Sequence, residues 1–337
     1  MGAARAPERT PMILDVHNHF YPPAYLAALR DGASAVRVTD DADGNPVIHY
    51  PGDYNVCVPG HRDIAHRTKV LEEHGVAQVI SLTTPGVHVE HPARAVELAR
   101  LVNDAFARVV MDHAGRYAAL ATLPLNDPAA SVTELERAMD THRLPGAMLF
   151  SNVNGVPLAD ARFEPLYQAA NARDAVLMIH PTHPVDVAAM TQYWLMPLVG
   201  FLMDTTLAAA HLVFAGVPAR YPRIRWILGH LGGAIPYLAE RLDRGFAAFA
   251  DCRANIDRPP SEYLKQHFWY DTVNFDAGAL ELAIRFAGTD HILAGSDYPH
   301  MIGSIAKMHE VIGALSISTA DRQRILERNA RELLGLA

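Results

Sequence analysis

Cysteine is scarce in this chain of 337 residues, which contains only Cys57 and Cys252. The two lie far apart, and they form neither a CxxC pair nor the closely spaced set that marks a disulfide framework. We therefore expect no disulfide-stapled fold, and two reduced thiols in a cytoplasmic protein. Met1–Pro11 also lacks the apolar run of a signal peptide, which agrees with that expectation.

The chain has fewer basic than acidic residues, and it has no apolar run long enough to predict a membrane span. Lys and Arg number 29 against 37 Asp and Glu, so the net charge of -8 leaves no basic excess to neutralise nucleic-acid phosphates. The most apolar stretch, Trp194–Met203, is about half of the roughly 20 residues that a membrane-spanning helix needs. No glycine-rich phosphate loop and no dinucleotide fingerprint occurs. We therefore predict binding to neither nucleic acid nor membranes, and no redox cofactor.

Short apolar runs alternate with helical segments along the whole chain. Helical periodicity is found at Ala93–Asp112, Ala129–His142, Phe163–Ala172, Ile235–Ala250 and Ala277–Ala287. The predicted strands are Met12–Val16, Gln78–Leu82, Ala118–Thr122, Ala147–Phe150, Val176–Ile179, Ile224–Leu228, Phe268–Asp271 and His291–Ala294. Eight strands that alternate with helices predict an α/β fold of the (β/α)8 TIM-barrel type, and we assign residues 1–337 to that single domain.

Two insertions interrupt the alternation, and both would emerge on the C-terminal rim, where barrel active sites lie. The first runs from about Arg37 to Val58, where two β-branched runs flank Asp41–Pro46 and predict a small β-hairpin after the first strand. The second, His183–Asp204, is rich in Tyr, Trp, Met, Leu and Phe. It either covers the active site or forms a dimer contact or an extra core helix, and these roles are compatible.

Side chains that can ligate a metal end several predicted strands. His17 and His19 follow the first strand, and residues i and i+2 of a strand point to the same face. His180 ends the fifth strand and Asp297 follows the eighth. Each alone has an ordinary explanation, such as a solvated histidine or a helix cap. Together they predict one divalent ion held by His17, His19, His180 and Asp297.

A fifth polar side chain and the donor set suggest what this ion does. His230 follows the sixth strand and precedes Gly232-Gly233, where the backbone can approach a ligand closely. Three imidazoles with one carboxylate favour Zn²⁺, with Mn²⁺, Co²⁺ or Fe²⁺ as alternatives, and leave a position open for water, as a catalytic ion needs. The fourth predicted strand carries no lysine that could bridge a second metal, so we expect one ion.

Four motifs together resemble one family. His17-x-His19, His180-Pro181, Gly229–Gly233 and Gly295–Pro299 are similar to motifs of the amidohydrolase-related metal-dependent decarboxylases, which act on aminocarboxymuconate semialdehyde or on benzoate-type acids. The resemblance runs from about Leu14 to Leu336. It implies metal ligation by the four residues just named, Asp297 also being part of the catalytic machinery. It further implies that His230 lies beside the metal-bound water as the general acid/base.

The resemblance also implies substrate contacts and a homodimer. Tyr193 and Trp194 resemble an aromatic segment that covers the substrate. Arg241 matches an arginine that reaches the active site of a neighbouring subunit and holds a substrate carboxylate, although a surface ion pair with Glu240 or Asp243 is the alternative. Two features depart from the relatives: only Arg62 is available after the hairpin, outside the register of a second substrate arginine, and the benzoate-type enzymes often have Glu or Ala where this chain has His17.

The predicted function is metal-dependent, non-oxidative decarboxylation of an unsaturated or aromatic carboxylic acid. A hydrolase or hydratase is the alternative, in which a metal-bound hydroxide attacks a lactone, an amide, a C–C bond or a double bond. A third possibility is a metal-binding or scaffold protein without catalysis.

Overall fold

The structure, a computed structural model, describes residues 12–32, 34–50, 53–184 and 186–336. Eight parallel strands form its centre, one for each predicted run. We number them β1 (Ile13–Asp15), β2 (Val76–Ile80), β3 (Tyr117–Ala119, continued by Ala121–Thr122), β4 (Gly146–Phe150), β5 (Val176–His180), β6 (Arg225–Leu228), β7 (Phe268–Asp271) and β8 (Ile292–Leu293). The prediction for Met1–Pro11 lies outside the described residues.

Each strand pairs with the next one along the chain, from β1 to β8. The interruption of β3 at Leu120 is local, since the Leu120 amide still donates to the Ile80 carbonyl at 3.0 Å. No ladder joins β8 to β1 within the described residues, but the Val16 amide donates to the Ala294 carbonyl at 2.9 Å and draws their ends together. The predicted (β/α)8 barrel fold is confirmed.

Helices cover the outside of the strands, and local chemistry sets where they begin. The Asp127 carboxylate accepts from the Ala130 amide at 3.0 Å, and Pro128, which has no amide to leave unpaired, takes the first helical position. The helices that follow the eight strands are Ile64–His74, Pro92–Asp112, Pro128–Asp140, Glu164–Ala172, Phe201–Phe214, Ile235–Ala248, Ala277–Ala287 and, after two further helices, Asn329–Leu334.

Shorter elements complete the chain. The remaining α-helices are Pro23–Leu29, Pro59–Arg62, Val217–Arg220, Pro260–Gln266, Ile305–Ala314 and Thr319–Gln323. Single turns of 3-10 helix lie at Ala161–Phe163, Ala188–Met190, His230–Gly232, Asp251–Arg253 and Thr289–His291, and π-helical turns at Met196–Gly200 and Arg324–Arg328. Asn152–Val153 and Val156–Pro157 form a two-stranded ladder behind β4.

The first insertion is larger than predicted. Arg37–Asp40 and Pro46–Tyr50 pair as the expected hairpin, and Asp53–Val56 adds a third antiparallel strand. This strand alternates weakly, with Tyr54 exposed and its neighbours half-buried, so its sequence carries little strand signal. The sheet packs its Ile48 side chain, which is fully buried, onto the barrel.

The second insertion leads into the helix after β5. By length and composition alone, Met196–Phe214 is the one helical run among the described residues that could cross a membrane, with a mean hydropathy of 1.5. Its inner side chains, including Ala209, Leu212 and Val213, are fully buried in the barrel core. This burial is typical of a core helix, whereas its outer side exposes Leu198, Val199, Met203 and Leu207.

Candidate metal centre

The strand ends bring the five predicted polar side chains together. His17 and His19 follow β1, His180 ends β5, His230 follows β6 and Asp297 follows β8. All five are buried, from 0% exposed at His17 to 8% at His230. Because the carboxyl ends of parallel strands open on one side of a barrel, residues that are far apart in sequence meet at one mouth.

The distances show how tightly these groups converge on Asp297. Its Oδ1 lies 3.2 Å from His19 Nε2 and 3.4 Å from His17 Nε2, and its Oδ2 lies 3.9 Å from His230 Nε2. One donor atom from each of His17, His180, His230 and Asp297 falls within 4.8 Å of the others. The ring of His19 stands edge-on to that of His180, with centroids 4.7 Å apart. His19 shares a second group with Asp297 and His300, so the four predicted histidines surround Asp297 in two overlapping groups.

Burial sets the protonation states that a metal site needs. Desolvation lowers the pKa of His19 and His180 well below the usual value, which keeps both imidazoles neutral and able to ligate. For Asp297, burial alone would raise the pKa. The hydrogen bond with His19 and the nearby imidazoles of His230, His300 and His17 outweigh it and hold the pKa of Asp297 well below its usual range, so this carboxylate stays ionised.

Asp271, at the end of β7, was not predicted as a site residue, and it organises this group. Its Oδ2 bonds to His17 Nδ1 and accepts from the His230 amide at 3.0 Å, and its Oδ1 accepts from the Leu231 amide at 2.8 Å. A carboxylate on one ring nitrogen of a histidine fixes the tautomer and turns the other nitrogen toward a metal. The available signal was position, since Asp271 ends a predicted strand as His180 does.

The backbone is strained where two of these residues sit. His230 and Asp297 have φ angles of 53° and 55°, in the left-handed region that non-glycine residues seldom occupy. Such conformations cost about 1–3 kcal/mol each and persist where the surroundings hold them. The bonds from Asp271 to the His230 and Leu231 amides supply that hold. Gly229 lets the loop lie against His17, because a Cβ there would be 3.2 Å from the ring.

The donor set fits a divalent cation. His17 Nε2 is buried and bonds to none of the described residues, and its ring is already oriented by Asp271 through Nδ1. A buried ring nitrogen without a partner is costly unless something outside the protein occupies it. Neutral imidazole nitrogens with one ionised carboxylate are the ligands that Zn²⁺ and similar ions take. We call His17, His19, His180, His230, Asp271 and Asp297 the floor of the mouth.

The three predicted substrate residues lie apart from the floor. Tyr193 and Trp194 are 81% and 57% exposed, and both have positive φ angles. The Trp194 ring stands edge-on to Tyr54 of the first insertion, with centroids 5.6 Å apart. Arg241 is exposed on Ile235–Ala248. Among the described residues none of these three contacts the floor by an ion pair or ring contact, and we call them the rim.

Two unpredicted histidines border the floor beside His19. His300 lies three residues beyond Asp297, and its ring centroid is 5.0 Å from that of His19. His61, in Pro59–Arg62, is buried with its ring centroid 4.9 Å from that of His300. Neither directly follows a predicted strand, whereas the five predicted floor residues were identified from that position.

A cavity of about 400 Å³ opens next to the floor, over the ends of β2, β4 and β5. Its size is in the range of small-molecule sites. Phe150 separates it from the floor, with ring contacts to His88 on one side and to His180 on the other. Polar lining side chains come from Tyr50, His88, Asn152, Asn154, Thr182 and His183.

Known proteins share this sequence and fold. The chain is 33% identical to a 2-amino-3-carboxymuconate-6-semialdehyde decarboxylase of Dictyostelium discoideum, over 73% of this chain and 68% of that protein. It is 31% identical to a 6-methylsalicylic acid decarboxylase of Penicillium expansum, over 85% of each. A crystal structure of a dihydroxybenzoic acid decarboxylase from Polaromonas, with bound manganese and the inhibitor 2-nitroresorcinol, superposes with a TM-score of 0.81 at 27% identity, covering 97% of this chain and 98% of that one.

The family assignment follows from a match over almost the whole chain. The sequence profile of the amidohydrolase family, in its second group, matches residues 14–336. The match includes every floor residue and reaches the last described helix. This protein therefore belongs to the amidohydrolase family.

Proposed function

We propose that this protein is a metal-dependent, non-oxidative decarboxylase, a carboxy-lyase, of an aromatic or unsaturated carboxylic acid. The observation that carries the proposal is the floor itself: four buried histidines surround one ionised carboxylate, that of Asp297, at the barrel mouth. The relatives are named as decarboxylases of such acids, which favours this reaction over the hydrolase alternative.

His17, His19, His180 and Asp297 would hold one divalent ion. We favour Zn²⁺ from the nitrogen-rich donor set, and the manganese in the Polaromonas enzyme makes Mn²⁺ the alternative to test. When bound, the ion supplies Lewis acidity toward the substrate carboxylate or a neighbouring hydroxyl. Asp271 would keep His17 in the ligating orientation through its bond to Nδ1.

His230 would carry the proton. Its Nδ1 is buried and bonds to none of the described residues, while its Nε2 lies 3.9 Å from Asp297. A proton delivered from this ring to the substrate carbon that bears the carboxylate would make that carbon tetrahedral. The C–C bond then breaks, its electron pair returns to the ring or alkene, and carbon dioxide leaves.

The rim would complete the site in a homodimer. Arg241 is exposed, and among the described residues it forms no ion pair: Glu240 pairs instead with Arg244 at 3.6 Å, and Asp243 accepts from the Ser261 amide. This leaves its guanidinium free for a carboxylate of a substrate bound in a partner subunit. The exposed Tyr193, Trp194 and nearby apolar side chains would then be covered by the partner and by the substrate.

Two broader assignments belong to the same proposal. We infer a single domain over residues 1–337, supported by one continuous cluster of buried apolar side chains from Ile13 to Leu334. We also infer a cytoplasmic enzyme, supported by the two free cysteines, of which Cys57 is buried.

The test is carbon dioxide release. The purified protein, reconstituted with Zn²⁺ or Mn²⁺ and checked for metal by elemental analysis, is supplied with a panel of hydroxybenzoates, methylsalicylates and unsaturated dicarboxylates. We expect release of carbon dioxide with one metal ion per chain. Incorporation of ¹⁸O from labelled water into the product, without loss of carbon dioxide, would establish the hydrolase or hydratase instead.

A further inference from the structure

The His61 side chain has hydrogen-bonding capacity that the fold does not use. It is 1% exposed, and neither ring nitrogen bonds to any of the described residues. Its backbone is fully engaged, because its amide donates to Val58 at 2.8 Å and its carbonyl accepts from Tyr21 at 2.7 Å. A buried imidazole has one donor and one acceptor to satisfy when neutral, and leaving both unpaired is costly. The ring can therefore bind a group that the described residues do not supply.

His300 connects this ring to the floor. It is partly exposed at the mouth, and its ring lies between those of His61 and His19, with centroids 4.9 Å and 5.0 Å away. One of its nitrogens lies within 4.8 Å of donor atoms of His19 and Asp297. His61 and His300 thus form a pair on the His19 side of the floor, whereas His230 has its ring contacts with His17 and His180.

The approach of His61 depends on a specific glycine. A Cβ at Gly60 would lie 2.5 Å from the Tyr298 hydroxyl oxygen and 2.9 Å from Pro299 Cβ, closer than real Cβ atoms come. Only glycine allows the Pro59–Arg62 helix to pack against the Asp297–His300 loop this closely. The segment that directly follows the first insertion therefore packs closely against the loop after β8. This packing brings the rings of His61 and His300 into contact.

The chemistry of the pair favours a neutral partner. A neutral imidazole donates through one nitrogen and accepts through the other, which matches a hydroxyl group, itself both donor and acceptor. A second cation is less suited, because Asp297 is the one carboxylate that groups with His300 among the described residues, and it already belongs to the floor. We propose that His61 and His300 form a specificity-determining subsite that binds a ring hydroxyl of an aromatic acid substrate, an inference that rests on the proposed function.

The test compares two acids that differ by one group. 2,6-Dihydroxybenzoate and 2-hydroxy-6-methylbenzoate have a hydroxyl or a methyl of similar size at the same ring position. Dissociation constants are measured on metal-loaded protein carrying His230→Asn, so that binding is read without turnover. We expect about tenfold tighter binding of the dihydroxy acid. When His61→Leu or His300→Phe is combined with His230→Asn, the two acids should bind with about equal dissociation constants.

Two further variants separate the subsite from general damage. His61→Asn keeps a donor and an acceptor and should retain part of the preference, whereas His66→Leu, at an exposed position on the next helix, should leave it unchanged. An unchanged preference in both His61→Leu and His300→Phe would overturn the inference. So would elemental analysis showing two ions per chain that fall to one in these variants, because the pair would then hold a cation.

The proposed function can fail independently. If wild-type protein binds both acids and shows the preference that His61→Leu abolishes, yet releases no carbon dioxide from any acid in the panel, the subsite is supported and the decarboxylase assignment is lost. If carbon dioxide is released at the same kcat/KM from both acids in wild type and in His61→Leu and His300→Phe single variants that keep His230, the decarboxylase stands and the subsite is excluded.

Discussion

At the floor of the barrel mouth, buried side chains orient one another; at the rim, the candidate substrate residues stand in solvent. His17 bonds to Asp271, and Asp297 bonds to His19 and lies 3.9 Å from His230. Tyr193 and Arg241 have no such support from the described residues. The floor can therefore be complete in a single chain, while the rim gains its function only when a substrate or a second subunit covers it. Variants at the floor should change the chemical step, and variants at the rim should change substrate binding.

The largest expected effect is at the floor. His230→Ala should lower kcat by about 10²–10⁴-fold, because it removes the proposed proton donor, while metal content stays that of wild type. Steady-state kinetics with elemental analysis measure both. The exposed His309→Ala serves as the control and should remain active. Near-normal turnover in His230→Ala would show that the proton comes from elsewhere.

Asp271→Asn should have the next largest effect and lower metal affinity or kcat/KM by about 10–100-fold. The amide cannot hold His17 in the same tautomer, and it weakens the acceptor for the His230 and Leu231 amides. Metal titration and kinetics on the same preparation would separate loss of ligation from misplacement of His230. Asp290→Asn, on the exposed turn before β8, is the matched control. Wild-type metal affinity and wild-type kinetics in Asp271→Asn would show that Asp271 does not orient His17 and His230.

Arg241→Ala should raise KM about 10–100-fold with kcat and metal content nearly unchanged, because a charge-assisted pair to the substrate carboxylate is lost. A mixture tests whether the arginine acts across subunits. Arg241→Ala and His230→Ala chains, unfolded and refolded together, should regain part of the activity that neither has alone at low substrate concentration. No regain in verified mixed dimers would place Arg241 outside the partner's site.

The smallest effect concerns His88, which lines the cavity next to the floor. Burial lowers the pKa of His88 from about 6.5 to about 4. As the pH falls, His88 takes up a proton in the unfolded chain before it does so in the folded protein. The stability that neutral His88 allows is therefore complete above pH 6.5 and is lost between pH 6.5 and 4. Between pH 7 and 5, the free energy of unfolding of His88→Phe should therefore fall by about 2 kcal/mol less than that of wild type. Urea unfolding at both pH values measures this, and parallel losses would contradict it.

The barrel and most of the floor are predictable because they depend on local pattern. Each buried strand is a short apolar run, and a polar residue at its end necessarily faces the mouth, so β1, β5, β6 and β8 reveal their histidines and aspartate directly. The barrel predicted from this pattern and the family that the four motifs resemble are both confirmed. The roles of the individual residues stay predictions, as do the zinc ion and the dimer.

The remainder depends on contacts between distant segments. Asp271 ends a strand like its neighbours, but its bonds to His17 and His230 exist only once β1, β6 and β7 are side by side. His61 meets His300 only because Gly60 lets two loops more than 200 residues apart in sequence pack closely. The third strand of the insertion likewise forms by pairing with Pro46–Tyr50 rather than by its own pattern.

The single carboxylate of Asp271 links His17, a proposed metal ligand, to the backbone of His230, the proposed proton donor. A change that retunes the metal by altering His17 will also displace the loop after β6, and a change in that loop will be felt at the metal. Metal preference and proton delivery cannot then be optimised one substitution at a time. Directed evolution toward a new acid should proceed more readily at His61, His300 and the rim, which leave this linkage intact.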